Sequence, residues 1–537
     1  MARADPTDPA RPSDSKPRVL VLHAHVHGDR SNKRDFSLLQ PMAGLQIASL
    51  IDPAHYTVEL YLETWHGSLT PEVLPTADIV FMSGLAKDLD RMRQLSYYYR
   101  RAGSLVVVGG YLPTKFPEFC TQFFDVVCSG GVDSVREVMR DYEAGTLKPI
   151  YRSPQTTLGQ YEIDYSILAR AGIKGPVHLV EASRGCNFTC DFCVIPAEGA
   201  RHTKFGVKRT MRAIDASLQA APRGSVRRLF PTVLFIDNNF SNDRKYLRDM
   251  CASLKAHPRV RGWGALITQD ALKDRDLIRE MAASGCSFLF TGLESLDLAF
   301  LKQHSKFQNL KRGTDVVEDI AFAQSQGIVV NFGYLLDPRM NTVEEMKAQI
   351  ATILNSHILL FPAFIAIVSP IVGTKLFYEA CAAGELRPNL RLRDIDGQTI
   401  VYANCRNTDA ELSEFCWAIF RRPHTLISRR RMWINYLKRA WLLRRASLFA
   451  HIAHYGAHFR MYALARGRKT ARTETYIAGT ERLDLGYALY PEDITPEDKA
   501  RYFDPILVTD AEGHALAWLQ QGAPAPRART RRAHAAE

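Results

Sequence analysis

Short apolar runs rich in Val, Ile and Leu, each followed by a stretch long enough for a helix, recur along most of this chain and confine it to a parallel β/α architecture. In the first series, strands are predicted at 18–22, 57–62, 78–82, 105–108 and 124–127, with helices over 44–51, 88–101 and 133–142. Residues 17–150 thus read as a Rossmann-like, doubly wound parallel sheet. After a loop-rich linker ending near 180, strands are predicted at 178–181, 233–236, 264–267, 288–291, 329–332 and 363–368. Helical stretches at 247–256, 277–283 and 314–326 separate several of them, which suggests a partial (β/α)6 barrel over 181–376. The strand signal then fades into a mostly helical region, 377–490, followed by an extension, 491–537. Residues 1–16 and 522–537 lack apolar periodicity and read as disordered.

A chain of 537 residues exceeds what one core can organise, so two or three domains are expected. No secretory segment follows the polar start, and no apolar run approaches the roughly 18 to 20 residues of a membrane span, so the expected location is cytoplasmic. In that reducing setting a close group among the ten cysteines points to a metal site more than to disulfides. The net charge of +12 is local: fourteen Arg or Lys and no Asp or Glu lie between Phe415 and Thr473. One basic surface with an anionic or interfacial partner is implied, and nucleic acid is disfavoured because no aromatic-basic platform is visible.

Three strands of the first series end in small residues, Ser83-Gly84, Gly109-Gly110 and Ser129-Gly130-Gly131. Such positions form the ligand-binding edge of doubly wound sheets, although each pair also suits a tight turn. No Gly-x-Gly-x-x-Gly opens the first helix, which disfavours a nicotinamide cofactor. His23, His25 and His27 follow the first strand as either a metal site or solvated polar residues.

Cys186, Cys190 and Cys193 stand on a glycine-preceded loop leaving the first strand of the second series. Three thiolates at this spacing can hold a 4Fe-4S cube with one iron left open for chemistry. The alternative is a zinc knuckle, for which His202 is the only near fourth ligand. Cys251, Cys286, Cys381, Cys405 and Cys416 have no ligand spacing and read as core.

The segment Cys186-Asn-Phe-Thr-Cys190-Asp-Phe192-Cys193 resembles the signature of radical S-adenosylmethionine (SAM) enzymes, including the aromatic residue before the last cysteine. Phe235-Ile-Asp237-Asn-Asn-Phe240, Gly292-Leu-Glu294-Ser295 and Ser369-Pro-Ile-Val-Gly373-Thr374 are similar to segments at later strand ends of that superfamily. The front domain is similar to the cobalamin-binding domain that precedes the barrel in the branch of natural-product and hopanoid carbon methylases and the anaerobic magnesium-protoporphyrin ester cyclase. The Asp-x-His-x-x-Gly motif that supplies a cobalt-ligating histidine in many cobalamin proteins is absent. The resemblance implies cluster ligation by Cys186, Cys190 and Cys193, and SAM contacts by Phe192, Gly292, Glu294 and Ser295. It further implies a catalytic Asp237 lining the substrate cavity, and cobalamin at Ser83, Gly84, Gly109, Gly110, Ser129 and Gly130. Alternatives remain at two positions: Glu294 could cap a helix beside Ser295, and Asp237 could belong to a plain turn.

Within this resemblance, the cluster reduces SAM to give a 5′-deoxyadenosyl radical, and methylcobalamin delivers a methyl group to an unactivated carbon of a small or lipid-like substrate. An electron donor such as flavodoxin or ferredoxin is implied. A radical SAM cyclase or oxidoreductase of the porphyrin type is the second reading, and a cobalamin-binding sensor with a structural cluster is a third, from another class. A tRNA methylthiotransferase is disfavoured because the first 150 residues hold only Cys120 and Cys128. In the tail, Ile434, Leu437, Trp441, Leu448 and Ile452 form one helical stripe. Packing of that stripe on the barrel, with solvated arginines around it, is preferred over a peripheral contact with the inner face of an anionic membrane.

Overall fold

The computed structural model describes residues 16–26, 42–154, 161–199, 202–310, 315–466, 475–479 and 490–520, without the side chains of 424–425 and 459–466. His27 and the stretches 1–15 and 522–537, expected to be disordered, lie outside those residues.

The front of the chain forms six parallel strands: β1 (Arg18–His23), β2 (Thr57–Leu62), β3 (Ile79–Ser83), β4 (Leu105–Gly109), β5 (Val126–Gly130) and β6 (Ile150–Ser153). Their order is β2-β1-β3-β4-β5-β6, so the winding direction reverses between β1 and β3. The central runs, β3 and β4, are apolar almost throughout because both faces are covered, whereas the edge strands β2 and β6 carry polar residues such as Glu59 and Arg152. Leu20, Leu22, Val106 and Val108 enter one core, while Val19, Val21 and Val107 enter the other. β6 was expected to be loop. It is a four-residue edge strand, pairing Ile150 with Val127 and Tyr151 with Cys128, and is too short to show a period of its own.

The second sheet contains β7 (His178–Val180), β8 (Thr232–Phe235), β9 (Gly262–Ile267), β10 (Cys286–Glu294), β11 (Val329–Leu336) and β12 (Phe364–Ile367). These are parallel and hydrogen-bonded in chain order, the topology of a partial β/α barrel. Val233, Phe235, Ala265, Leu289 and Val330 point into the layer shared with the outer helices, where Leu247, Leu277 and Ile320 meet them.

Parts of the chain beyond the barrel return to the front domain. Leu386, Tyr402, Phe503, Val508 and Leu519 share one core with Leu95, Val108 and Phe123. Inside that contact, buried Asp90 accepts hydrogen bonds from Arg93 and Arg393. Burial alone would push the Asp90 carboxyl up, but the two guanidiniums outweigh it and hold the group below the usual carboxylate range.

The basic tail corrects an expectation. The Arg429–Leu442 helix docks on the barrel through Met432, Asn435 and Arg439, which are buried. Asn435 donates to the Leu354 carbonyl and Arg439 to the carbonyls of Ser356, His357 and Leu359. Residues 432, 435 and 439 share one helical face, so Ile434, Leu437 and Trp441 point the opposite way and are exposed. The polar side wins the contact because Arg439 and Asn435 satisfy carbonyls at the end of the Val343–Asn355 helix and just beyond, which an apolar side chain could not do.

Candidate active site

The cysteine loop begins where β7 ends, and Gly185 turns it with φ 77°. Cys190 is buried, Cys186 and Cys193 are half-buried, and the Cys193 N–H donates to the Cys190 carbonyl at 3.3 Å. The end of β8 braces this loop. Asp237 accepts from the Ala182 N–H at 2.8 Å and the Ser183 hydroxyl at 2.6 Å, and Asn238 accepts from the Gly185 N–H at 2.9 Å. Asn239 and Asn242 stand beside the Cys186 sulfur, each with one side-chain polar atom at 4.0 Å. Asp237 was expected to line a substrate cavity, and the structure corrects this: it is 1% exposed and both oxygens are engaged behind the loop. Burial pushes its carboxyl up to about 7. It is a positioning residue.

Only Asp510, Glu512 and His514 bring three metal-type ligand atoms within 4.8 Å of one another among the described residues. At least one separation among the three cysteine sulfurs therefore exceeds 4.8 Å. Burial raises the thiols of Cys190 and Cys193, the latter to about 12, while the Lys306 ammonium works against that rise. A cationic group near the thiols favours their thiolate form, which is the form that binds metal.

At the end of β10, Glu294 takes the left-handed conformation, φ 61°, which few non-glycine residues adopt. Its Oε1 accepts from Lys306 Nζ at 2.7 Å, and both side chains are about nine-tenths buried. A Cβ at Gly292 would meet the Glu294 carboxylate and the Lys306 ammonium, so a larger residue there would displace that buried pair. The capping alternative for Glu294 fails: Asp297, accepting from the Ala299 N–H at 2.8 Å, caps the helix that follows. Ser295 is buried, and its hydroxyl accepts from the Asp297 N–H. Gln308 donates to the Cys190 sulfur at 3.4 Å, and Asn309 donates to the Gly292 and Leu293 carbonyls at 3.0 Å. Thr291 Oγ1, Gln308 Oε1 and Asn309 Oδ1 are buried without partners, leaving donors and acceptors for a polar ligand beside the cluster loop. Phe192 packs beside this group, with Lys306 Nζ 5.8 Å from its ring centre.

A second buried chain fixes the loop from below. Asp191 lies between two of the cysteines and accepts from His304 Nδ1 at 3.2 Å. His304 Nε2 faces Asp337 at 3.4 Å, and Asp337 pairs with Arg339, which reaches Glu385 at 2.6 Å. Burial would lower the His304 imidazole, but the two carboxylates more than offset it and keep it protonated more readily than usual. Asp337 falls to about 2: burial opposes the fall, and His304 and Arg339 drive it.

Between the two sheets lies a cavity of about 330 Å³. Ser83, Gly109, Gly110 and Gly130 line it from the front sheet, and Arg184, Gly185 and Asn238 line it from the barrel. Of the front-domain residues singled out in the sequence, Gly84 and Ser129 lie off this lining. Gly84 packs against Ala24 and Met92, and the Ser129 hydroxyl donates to the Thr114 carbonyl. Ser83 Oγ is buried without a partner at the cavity wall, which fits a ligand carrying polar groups along its edge. His23 and His25 do not line the cavity. Gln46 joins the domains beside it, donating to Glu181 at 2.7 Å and accepting from Arg184 at 2.7 Å.

No family model matches the chain. Curated relatives do. Bacteriochlorophyllide d C-8(2)-methyltransferase of Chlorobaculum tepidum is 23% identical over 349 residues, covering 63% of this chain and 75% of the relative. The hopanoid C-2 methylase of Rhodopseudomonas palustris is 23% identical over 323 residues, 58% of this chain and 59% of the relative. Among solved structures, OxsB, a cobalamin-dependent SAM radical enzyme with aqua-cobalamin and SAM bound, superposes with TM-score 0.56. That match has 14% identity and covers 83% of this chain and 75% of OxsB. TsrM from Kitasatospora setae, a radical SAM methyltransferase with cobalamin and a 4Fe-4S cluster bound, gives TM-score 0.52 at 13% identity, covering 82% and 100%.

The chain is similar in sequence to bacterial methyltransferases and shares the fold of cobalamin-dependent radical SAM enzymes.

In this chain, the sequence by itself did not single out Lys306, Gln308, Asn309 or His304. Lys306-Phe-Gln-Asn309 has no motif that physical chemistry alone would flag. One signal was available: a Lys, a Gln and an Asn within four residues, soon after Gly292-Leu-Glu294-Ser295, form an unusually polar segment for one that turns out buried.

Proposed function

We propose that the chain is a cobalamin-dependent radical SAM methyltransferase that places a methyl group on an unactivated carbon of a small or lipid-like acceptor. The observation that carries this reading is the shared cavity. One side is the carboxyl edge of the front sheet, at Ser83, Gly109 and Gly110, and the other is Arg184-Gly185, which leads directly into Cys186. A corrinoid held there would lie against the loop that bears the cluster.

In this reading Cys186, Cys190 and Cys193 hold the cluster, and Glu294, Ser295, Gly292 and Phe192 face SAM, with Lys306 beside them. Bound, these groups supply one-electron cleavage of SAM and a transferable methyl. The chain's own work is positional. Asp237, Asn238 and Asn239 set the loop from one side and Asp191 with His304 from the other, while the front domain covers the barrel mouth and limits water. Lys115, donating to the Ala197 carbonyl at 3.0 Å, and Tyr111, donating to that of Val372 at 2.9 Å, fasten that cover. A flavodoxin or ferredoxin would deliver the electron. No helix among the described residues is long and apolar enough to cross a membrane.

The test is the visible spectrum of anaerobically purified, cluster-reconstituted protein after incubation with hydroxocobalamin and desalting. Corrinoid near one per chain is expected, followed by S-adenosylhomocysteine release when acceptor candidates are supplied. An intact cluster with no retained corrinoid would sink the methyltransferase reading, and a product formed without S-adenosylhomocysteine would favour an oxidative cyclase.

A further inference from the structure

The inverted docking of the tail leaves an apolar surface exposed. On the Arg429–Leu442 helix, Leu437 and Trp441 are 62% and 64% exposed, and on the following Leu448–Arg466 helix, Leu448 and Ile452 are 63% and 60% exposed. Ile434 and Tyr455 extend the two stripes. Large apolar side chains at this exposure, on neighbouring helices, are more than the scattered single residues that need no explanation. The helices are not loosely attached. Leu443 and Ala450 pack on Val329 and Leu360 at the amino end of the barrel, and Tyr436 stacks on His454 at 4.8 Å.

Charge decides what covers this surface. Arg429, Arg430, Arg431, Lys438, Arg444 and Arg445 are all exposed around the stripes, and Arg444 lies over the Trp441 ring at 4.3 Å. No Asp or Glu occurs between Phe415 and Thr473. A second copy placed symmetrically on this face would set cation against cation. Nucleic acid would satisfy the charges and leave Leu437, Leu448 and Ile452 without a partner, because aliphatic side chains do not stack on bases. An anionic lipid surface satisfies both: acyl chains take the apolar residues, headgroups take the cations, and Trp441 with its arginine suits the boundary.

We propose that these two helices are a peripheral docking surface for an anionic phospholipid bilayer, holding the amino end of the barrel against the membrane. Binding is expected to weaken about fivefold for each cation removed near the surface, and roughly a hundredfold when both Leu437 and Trp441 lose their apolar character.

The experiment is vesicle sedimentation of the full-length, cluster-reconstituted chain. The vesicles are phosphatidylcholine alone, or phosphatidylcholine with phosphatidylglycerol at about two to one. The protein should pellet with the anionic vesicles, and the L437E/W441E and K438A/R444A variants should lose this while keeping iron content and thermal stability, since all four residues are exposed. Four outcomes would overturn the proposal: no pelleting of the parent chain, equal pelleting on neutral vesicles, full binding by L437E/W441E, or a concentration-dependent dimer or RNA complex that these variants abolish in the absence of lipid binding. Corrinoid retention measured on the same samples reports the proposed activity separately, so either reading can fail alone.

Discussion

Asp237→Asn should convert a pH-sensitive barrel into a nearly pH-insensitive one at this position. The Asp237 carboxyl is buried, and burial raises it to about 7 even though it accepts from the Ala182 N–H and the Ser183 hydroxyl. An unfolded chain would hold the same group at about 3.9. Because the folded state binds the proton more tightly, the group's contribution to stability is fully present below the unfolded value and is lost as pH rises through about 7. Between about pH 5 and pH 8 the loss amounts to about 2.5 kcal/mol. Asparagine keeps the acceptor for the Ala182 N–H and can donate to Ser183, so the brace survives without a titrating group. Scanning calorimetry of both proteins from pH 5 to 8 should show the variant gaining on the parent, by roughly 2 to 3 °C over that range for a chain of 537 residues. Taking the difference between the two removes every other titrating group. A constant offset across the range would refute the reasoning, because Asp237 would then be an ordinary carboxylate in both states.

Other predictions rest on separate contacts. Lys306→Met strands the Glu294 carboxylate in a buried site and should cost about 3 to 5 kcal/mol in iron-free protein, most of it recovered in the K306M/E294Q double variant; thermal unfolding checks this, and equal stability of parent and K306M would refute it. Gln308→Leu removes an N–H donor to the Cys190 sulfur, so the cluster should be retained at full iron content with a more negative midpoint potential, measured by redox titration. Gly109→Leu should block the cavity, because a Cβ there meets Cys128 only at 3.7 Å and the added bulk points into open space. Corrinoid retention should fall below roughly a tenth of the parent's while iron content stays the same, and undiminished retention would place the corrinoid elsewhere.

Much of the fold and the cluster loop was legible because the signals are local. A parallel strand covered on both faces must be apolar at consecutive positions, and Val106-Val107-Val108 says so without any partner in view. Three thiols at the spacing of Cys186, Cys190 and Cys193 are close whatever the rest of the chain does. What tertiary structure decided was the meaning of residues whose partners are distant in sequence. Asp237 looked like a cavity residue and is a brace, because its hydrogen-bond partners are 55 and 54 positions away. Asp191 reads as filler between cysteines until His304, 113 positions later, is placed against it. The tail is the sharpest case. Its periodicity shows which side chains share a face and cannot show which face is chosen. That choice fell to Arg439 and Asn435, whose hydrogen bonds to carbonyls of the Val343–Asn355 helix and the turn beyond it turned the apolar stripe outward. Amphipathic pattern is a property of one segment, whereas burial is settled by competition between all the surfaces that the segment could meet.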